Sequence, residues 1–217
     1  MIRIAVCPVG LLRANCYIAW NEETGEGFFV DPGDRAEDLE AFSREQGVHA
    51  QAILLTHGHF DHIGAARKIA DDLRIPVLAG EKEAAVLSDP FRNLSGRYTH
   101  RPFTVKADRL LRDGEEFFLA GYRIRVIHTP GHSEGGVCYE LPEERILFSG
   151  DTLFQGSYGR TDGPDGDYEE MLRSLARLFT ELPGNTSVLP GHEGETTIEE
   201  ERDGNPAVQD LLARQYL

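Results

Sequence analysis

At 217 residues the chain can bury a full core, and no composition break divides it, so one domain spanning 1–217 is expected. A formal charge of −15 argues against nucleic acid as a partner, because phosphate-backbone binding rests on clustered Lys and Arg. No apolar run is long enough for a membrane span, and the opening Met1-Ile2-Arg3-Ile4-Ala5-Val6 alternates like a strand rather than reading as a secretory signal.

In chain order, Arg3 to Cys7, Asn15 to Ala19 and Gly27 to Val30 read as strands, with Asn21 to Gly25 as the turn before the third and Asp31-Pro32-Gly33 as its stop. Ala36 to Gln46 has helical spacing at Leu39 and Phe42 and ends at Gly47. Ala52 to Leu55 is an apolar strand, Ala65 to Leu73 a helix, Val77 to Ala79 a strand and Lys82 to Leu87 a helix. Ser88 to Lys106 has no clear period. It carries Arg92, Arg97 and Arg101 in an otherwise acidic chain, as a lid or a solvated surface loop would. A second strand-rich block runs from Arg109 to Phe148, including Tyr122 to Ile127 and Arg145 to Phe148. A helix at Tyr168 to Phe179, a strand at Ser187 to Leu189 and a helix at Ala207 to Arg214 follow. Two strand-rich blocks, each followed by helices, predict an α/β fold in which two sheets pack face to face with helices outside. Cys7, Cys16 and Cys138 each lie in a strand-like run outside any paired metal spacing. They read as buried free thiols in a reducing, cytoplasmic setting.

The chemistry is concentrated in Thr56-His57-Gly58-His59-Phe60-Asp61-His62, on the loop between a strand and a helix. Neutral imidazole and carboxylate are the donors a borderline divalent ion prefers. Three more donors follow strand-like runs at Gly-flanked positions: His132 in Thr129-Pro130-Gly131-His132, Asp151 in Ser149-Gly150-Asp151, and His192 in Leu189-Pro190-Gly191-His192. One ion uses about four ligands, and a catalytic one about three from protein. Seven candidates (His57, His59, Asp61, His62, His132, Asp151 and His192) therefore predict a pair of ions sharing one carboxylate. His49, His100 and His128 lie outside any ligand-rich cluster and read as ordinary histidines, with His128 placed to brace the His132 loop.

The His-x-His-x-Asp-His run with its three ordered partners resembles the metallo-β-lactamase superfamily. Thr56 to Gly64 and Gly150-Asp151-Thr152-Leu153-Phe154 are similar to hydroxyacylglutathione hydrolases (glyoxalase II). Gly159-Arg160-Thr161-Asp162 and Leu189-Pro190-Gly191-His192 with Thr196-Thr197-Ile198 resemble the small bacterial glyoxalase II-like proteins. The resemblance implies an αβ/βα sandwich of two mixed sheets flanked by helices. It implies His57, His59 and His132 around a first metal, Asp61, His62 and His192 around a second, and Asp151 between them. It also places Tyr158 and Arg160 beside the substrate. The segment after His192 is too short for the helical glutathione-binding domain that full-length glyoxalase II carries there.

Two divalent ions, zinc by preference with iron and manganese as alternatives, would give a hydroxide at neutral pH and polarise a carbonyl, while Asp61 orients the nucleophile. A thioester suits such a site, because a thiolate leaves without prior protonation. The reading is thus a metal-dependent hydrolase of small glutathione-type thioesters. Two alternatives remain: an iron persulfide dioxygenase using His57, His132 and Asp151, and a lactonase, β-lactamase or other hydrolase on the same scaffold.

Overall fold

The computed structural model describes residues 1–217 and has four layers, helices–sheet–sheet–helices. The first sheet has the order β1 (Ile2–Val9), β2 (Ala14–Asn21), β3 (Glu26–Val30), β4 (His49–Leu55), β5 (Val77–Gly80) and β6 (Arg109–Leu111). Its first three strands are antiparallel and β3 to β6 run parallel. The second sheet is built from β7 (Glu116–Leu119), β8 (Tyr122–His128), β9 (Val137–Leu141), β10 (Ile146–Gly150), β13 (Ser187–Pro190) and β14 (Thr196–Thr197). Only its β10–β13 pair is parallel. A separate two-stranded ribbon, β11 (Leu153–Phe154) and β12 (Ser157–Tyr158), follows β10.

Strand periodicity explains the layering. Phe28 faces the inter-sheet core and Phe29 the outer one; Leu54 faces inward, while Ile53 and Leu55 face outward. Strands buried on both faces read as continuous apolar runs, as Ala52 to Leu55 does. The outer face of the first sheet is covered by α1 (Ala36–Glu45) and α3 (Ala66–Leu73), which contribute Leu39, Ala66, Ile69 and Ala70. Tyr139, Phe28 and Phe148 fill the space between the sheets. Burying each such side chain contributes about 1.5–3 kcal/mol. The second sheet is covered by α6 (Tyr168–Glu181), α7 (Ile198–Gly204) and α8 (Ala207–Ala213), through Met171, Leu172, Leu175, Ile198 and Leu211. The α6 start is fixed by Asp167, whose side chain accepts from Glu170 N at 3.0 Å.

Three sequence expectations are corrected. The Arg109 strand is β6 and pairs with β5, so it completes the first sheet rather than opening the second. The segment from Ser88 to Lys106 contains a short helix, α5 (Ser95–Tyr98). It is also pinned: Asn93 Nδ2 donates to Phe103 O at 2.8 Å, and Arg92 joins Asp165 and Glu134. The Lys82 to Leu87 helix resolves into a 3₁₀ turn, Glu81–Glu83, leading into α4 (Ala84–Leu87). No helix is long and apolar enough to cross a membrane.

Candidate metal centre

Every predicted donor sits just beyond the C-terminal end of a strand, on one rim of the sandwich. His57 and His59 follow β4, and α2 (Phe60–Ile63) then presents Asp61 and His62. His132 follows β8, Asp151 follows β10 and His192 follows β13. The parallel pairs β3–β4 and β10–β13 bring these ends together, and such carboxyl ends are where open α/β sheets place their ligands.

All seven side chains converge. His57, His59 and His132 form one donor triad, and Asp61, His62 and His192 another. In the first, His59 Nδ1 and His132 Nε2 lie 2.8 Å apart. The His57 ring centroid is 4.8 Å from that of His59 and 4.9 Å from that of His132. In the second, His62 Nε2 is 3.3 Å from His192 Nε2 and 3.6 Å from Asp61 Oδ2, and His192 Nε2 is 3.4 Å from the same oxygen. Asp151 touches both sets, with Oδ1 3.4 Å from His62 Nε2 and Oδ2 3.4 Å from His132 Nε2. His192 is the most open of the seven, with 23% of its side chain exposed, so the entrance lies on its side.

Two buried atoms test whether a metal belongs here. His57 Nε2 and Asp151 Oδ1 are both buried without a hydrogen-bond partner. Buried polar atoms are ordinarily paired, and unpaired ones at the focus of imidazoles and carboxylates fit ions in place of protein donors. Close packing preserves that focus. An added Cβ at Gly191 would collide with Asp151 Oδ1 and come within 2.8 Å of His62 Cε1, so glycine alone fits there.

At His57 and His59 the protonation states agree with a metal site. Burial, reinforced by neighbouring imidazoles, holds His57 and His59 well below the usual histidine range, leaving them neutral as ligands must be. Burial also works against a proton on His62, but Asp151, Asp61 and Asp31 outweigh it and push the group up to about 10. Asp61 is held well below the usual carboxylate range, because His62 and His192 overcome the effect of burial.

The sequence profile of the Metallo-beta-lactamase superfamily matches residues 9–192. The chain belongs to the metallo-β-lactamase superfamily. Among solved structures it is similar to BLEG-1, a B3 metallo-β-lactamase, at 42% identity and a TM-score of 0.89, covering 94% of this chain and 98% of that one. It is also similar to TTHA1623 in a di-iron-bound form, at 36% identity and a TM-score of 0.82, covering 93% and 98%. The hydroxyacylglutathione hydrolase GloC of Haemophilus influenzae is 31% identical over 211 residues, 94% of this chain and 97% of that protein. The rim is thus the dinuclear metal-binding site typical of the metallo-β-lactamase superfamily.

Supports for this superfamily site come from Asp31 and Ser174, which carry no role in the sequence reading, and from His128, which braces the His132 loop as expected. Asp31, 1% exposed, accepts from Thr56 N at 2.7 Å and Thr56 Oγ1 at 2.5 Å, and its Oδ2 lies 3.1 Å from His62 Nδ1. Thr56 Oγ1 is in turn 3.1 Å from His57 Nδ1. One carboxylate therefore orients two rings, so that each turns Nε2 inward. Asp31 ends an apolar strand just as Asp151 does, and that parallel was the available signal. The His132 loop rests on α6, where Ser174 Oγ donates to Pro130 O at 2.7 Å, and His128 Nε2 lies 3.2 Å from Glu134 O.

Arg160 and Tyr158 lie close to the rim in different ways. The Arg160 carbonyl is 2.8 Å from His132 Nδ1, while its guanidinium is held by Asp162 at 2.7 and 2.9 Å. The Tyr158 ring is 6.4 Å from Tyr168 and packs on the outer core of the second sheet. On the other flank Phe60, between His59 and Asp61, stacks on Tyr98 at 5.7 Å, and Arg97 lies 5.5 Å over the Tyr98 ring.

Proposed function

We propose that the chain is a two-metal hydrolase of small activated carbonyl compounds (a thioester, lactone or lactam), with a substrate range wider than glutathione thioesters. What carries the reading is the convergence of two complete donor triads on Asp151. His57, His59 and His132 on one side and Asp61, His62 and His192 on the other would hold a metal pair, which when bound would supply a water of lowered pKa and a Lewis acid for the carbonyl oxygen. Asp61, ionised at neutral pH, would help hold the second metal and is placed to accept a hydrogen bond from a water at the site. No protonated acid stands free at the rim beside the ligands, which favours leaving groups that depart without a proton, such as a thiolate.

The narrower glutathione reading draws support from the likeness to GloC. Against it, Arg160 would have to share or give up its exposed pair with Asp162 to grip a substrate carboxylate, and the Tyr158 ring lies against Tyr168. A second reading, an iron-dependent oxygenase, is favoured by the likeness to a di-iron-bound protein and by a donor set that suits iron as well as zinc. Its mononuclear form would leave His62 and His192 without a task.

The test is a panel of a glutathione thioester, a small thioester without carboxylates, a lactone and a β-lactam, run with zinc- and iron-loaded protein. Oxygen uptake with glutathione persulfide is measured in parallel. Hydrolysis with either metal, little altered by Arg160→Ala, is the expected outcome. Oxygen consumption by iron-loaded protein without any hydrolysis would replace this reading with the oxygenase.

A further inference from the structure

Glu83 has none of its surface exposed, although it is charged and lies outside both donor triads. It ends the 3₁₀ turn before α4, whose Leu87 is anchored in the outer core of the first sheet. Its Oε1 accepts from Ser133 Oγ at 2.5 Å and from Gly135 N at 3.1 Å. Its Oε2, buried without a hydrogen-bond partner, lies against Gly58, where an added Cβ would come within 2.8 Å of it. Gly58 separates His57 from His59, and Ser133 follows His132. The two segments that carry the first triad thus meet on one carboxyl group, which the second triad does not touch.

The geometry points to Glu83 as a positioning residue for one metal only. It holds the His57-Gly58-His59 segment and the His132-Ser133 loop at the separation the three imidazoles require, and it leaves Asp61, His62 and His192 to other supports. The inference rests on the two-metal reading above. Burial pushes the Glu83 carboxyl up to about 7 against the pull of its Ser133 and Gly135 donors. A fold that needed only packing here would place an apolar side chain, since a buried carboxyl without a cation is costly. Asp31 supports a ring of each triad, directly at His62 and through Thr56 at His57, so it does not discriminate between the metals. Glu83 does.

The test is zinc binding by the full-length chain, with occupancy at each triad read from anomalous scattering in crystals equilibrated against a graded chelator. Glu83→Ala is expected to weaken the first site by about 10–100-fold, the usual cost of losing a ligand's supporting partner, and to leave the second unchanged. Glu83→Gln, which keeps an acceptor for Ser133 and Gly135, restores most of that affinity. Ser133→Ala, which removes one contact only, gives the same selectivity at smaller amplitude and serves if Glu83→Ala does not fold. Equal weakening of both sites, or a fall in melting temperature with unchanged occupancy, would make Glu83 merely structural and overturn the inference. Wild-type protein holding a single zinc would instead refute the two-metal reading. Glu83 would then still have to weaken that zinc if it lies in the first triad, and a zinc in the second triad alone would overturn the inference as well.

Discussion

Replacing Asp31 with Asn changes one atom in the interior and should disturb both metals. Its carboxylate accepts from Thr56 N, Thr56 Oγ1 and the His62 ring at 2.7, 2.5 and 3.1 Å, and Thr56 Oγ1 passes the constraint on to His57. An amide keeps the volume and can still accept from Thr56 N, but it turns an NH₂ group toward the Thr56 hydroxyl and His62 Nδ1. Two donors then face each other at His62, and the ring is driven to the tautomer with its proton on Nε2, where a lone pair is required. The Thr56 hydroxyl, no longer donating to Asp31, is free to donate to His57 Nδ1 and invert that ring as well. Each site should lose about 10–100-fold in zinc affinity, or about 1.4–2.7 kcal/mol. Competition against a fluorescent chelator near neutral pH reads both constants, and thermal unfolding verifies that the variant is folded. A folded Asp31→Asn protein binding two zinc ions with wild-type affinity would refute the tautomer argument.

Four further outcomes are expected. In metal-free protein His62 is raised above its ordinary value of 6.5, so its charged form contributes stability that is fully present below that value and is lost as pH rises through about 10. The melting temperature of stripped protein should fall over that interval and flatten in His62→Gln, and a pH-independent melting temperature would count against the assigned charge. Asp61→Ala should lower turnover by about 100-fold or more, whereas the exposed His49 and His100 should tolerate alanine; metal content is measured on every variant, and equal losses at the three positions would sink the site assignment. Phe148→Ala, at the centre of the inter-sheet core, should cost about 3–5 kcal/mol in denaturant unfolding. Tyr139→Phe, which only removes the hydroxyl donated to Leu55 O at 2.8 Å, should cost about 1 kcal/mol.

The sequence made the donors legible because His57, His59, His132, Asp151 and His192 each follow an apolar strand with a glycine beside them, and Asp61 and His62 come directly after the first two; strands of that kind share a rim. The layering was legible for the same reason: Gly27 to Val30 and Ala52 to Leu55 are apolar on both faces, as strands between two covered layers must be. What stayed hidden depends on contacts distant in the chain. The supports at Asp31 and Glu83 act across 31 and 50 positions, on His62 and Ser133 respectively, and no local period announces them. The β6 pairing escaped because three residues carry too little pattern to say which sheet they join. Arg160 was legible as a charged side chain near the site, whereas the contact it makes to a ligand uses its backbone carbonyl, a group every residue has.

The central claim is that two metals act together on this rim. The direct measurement is the metal-to-protein ratio of the purified chain at full hydrolytic activity, by elemental analysis after dialysis against a weak chelator. Two ions per chain are expected, with activity rising only as the second is bound. Full activity at one ion per chain would contradict it.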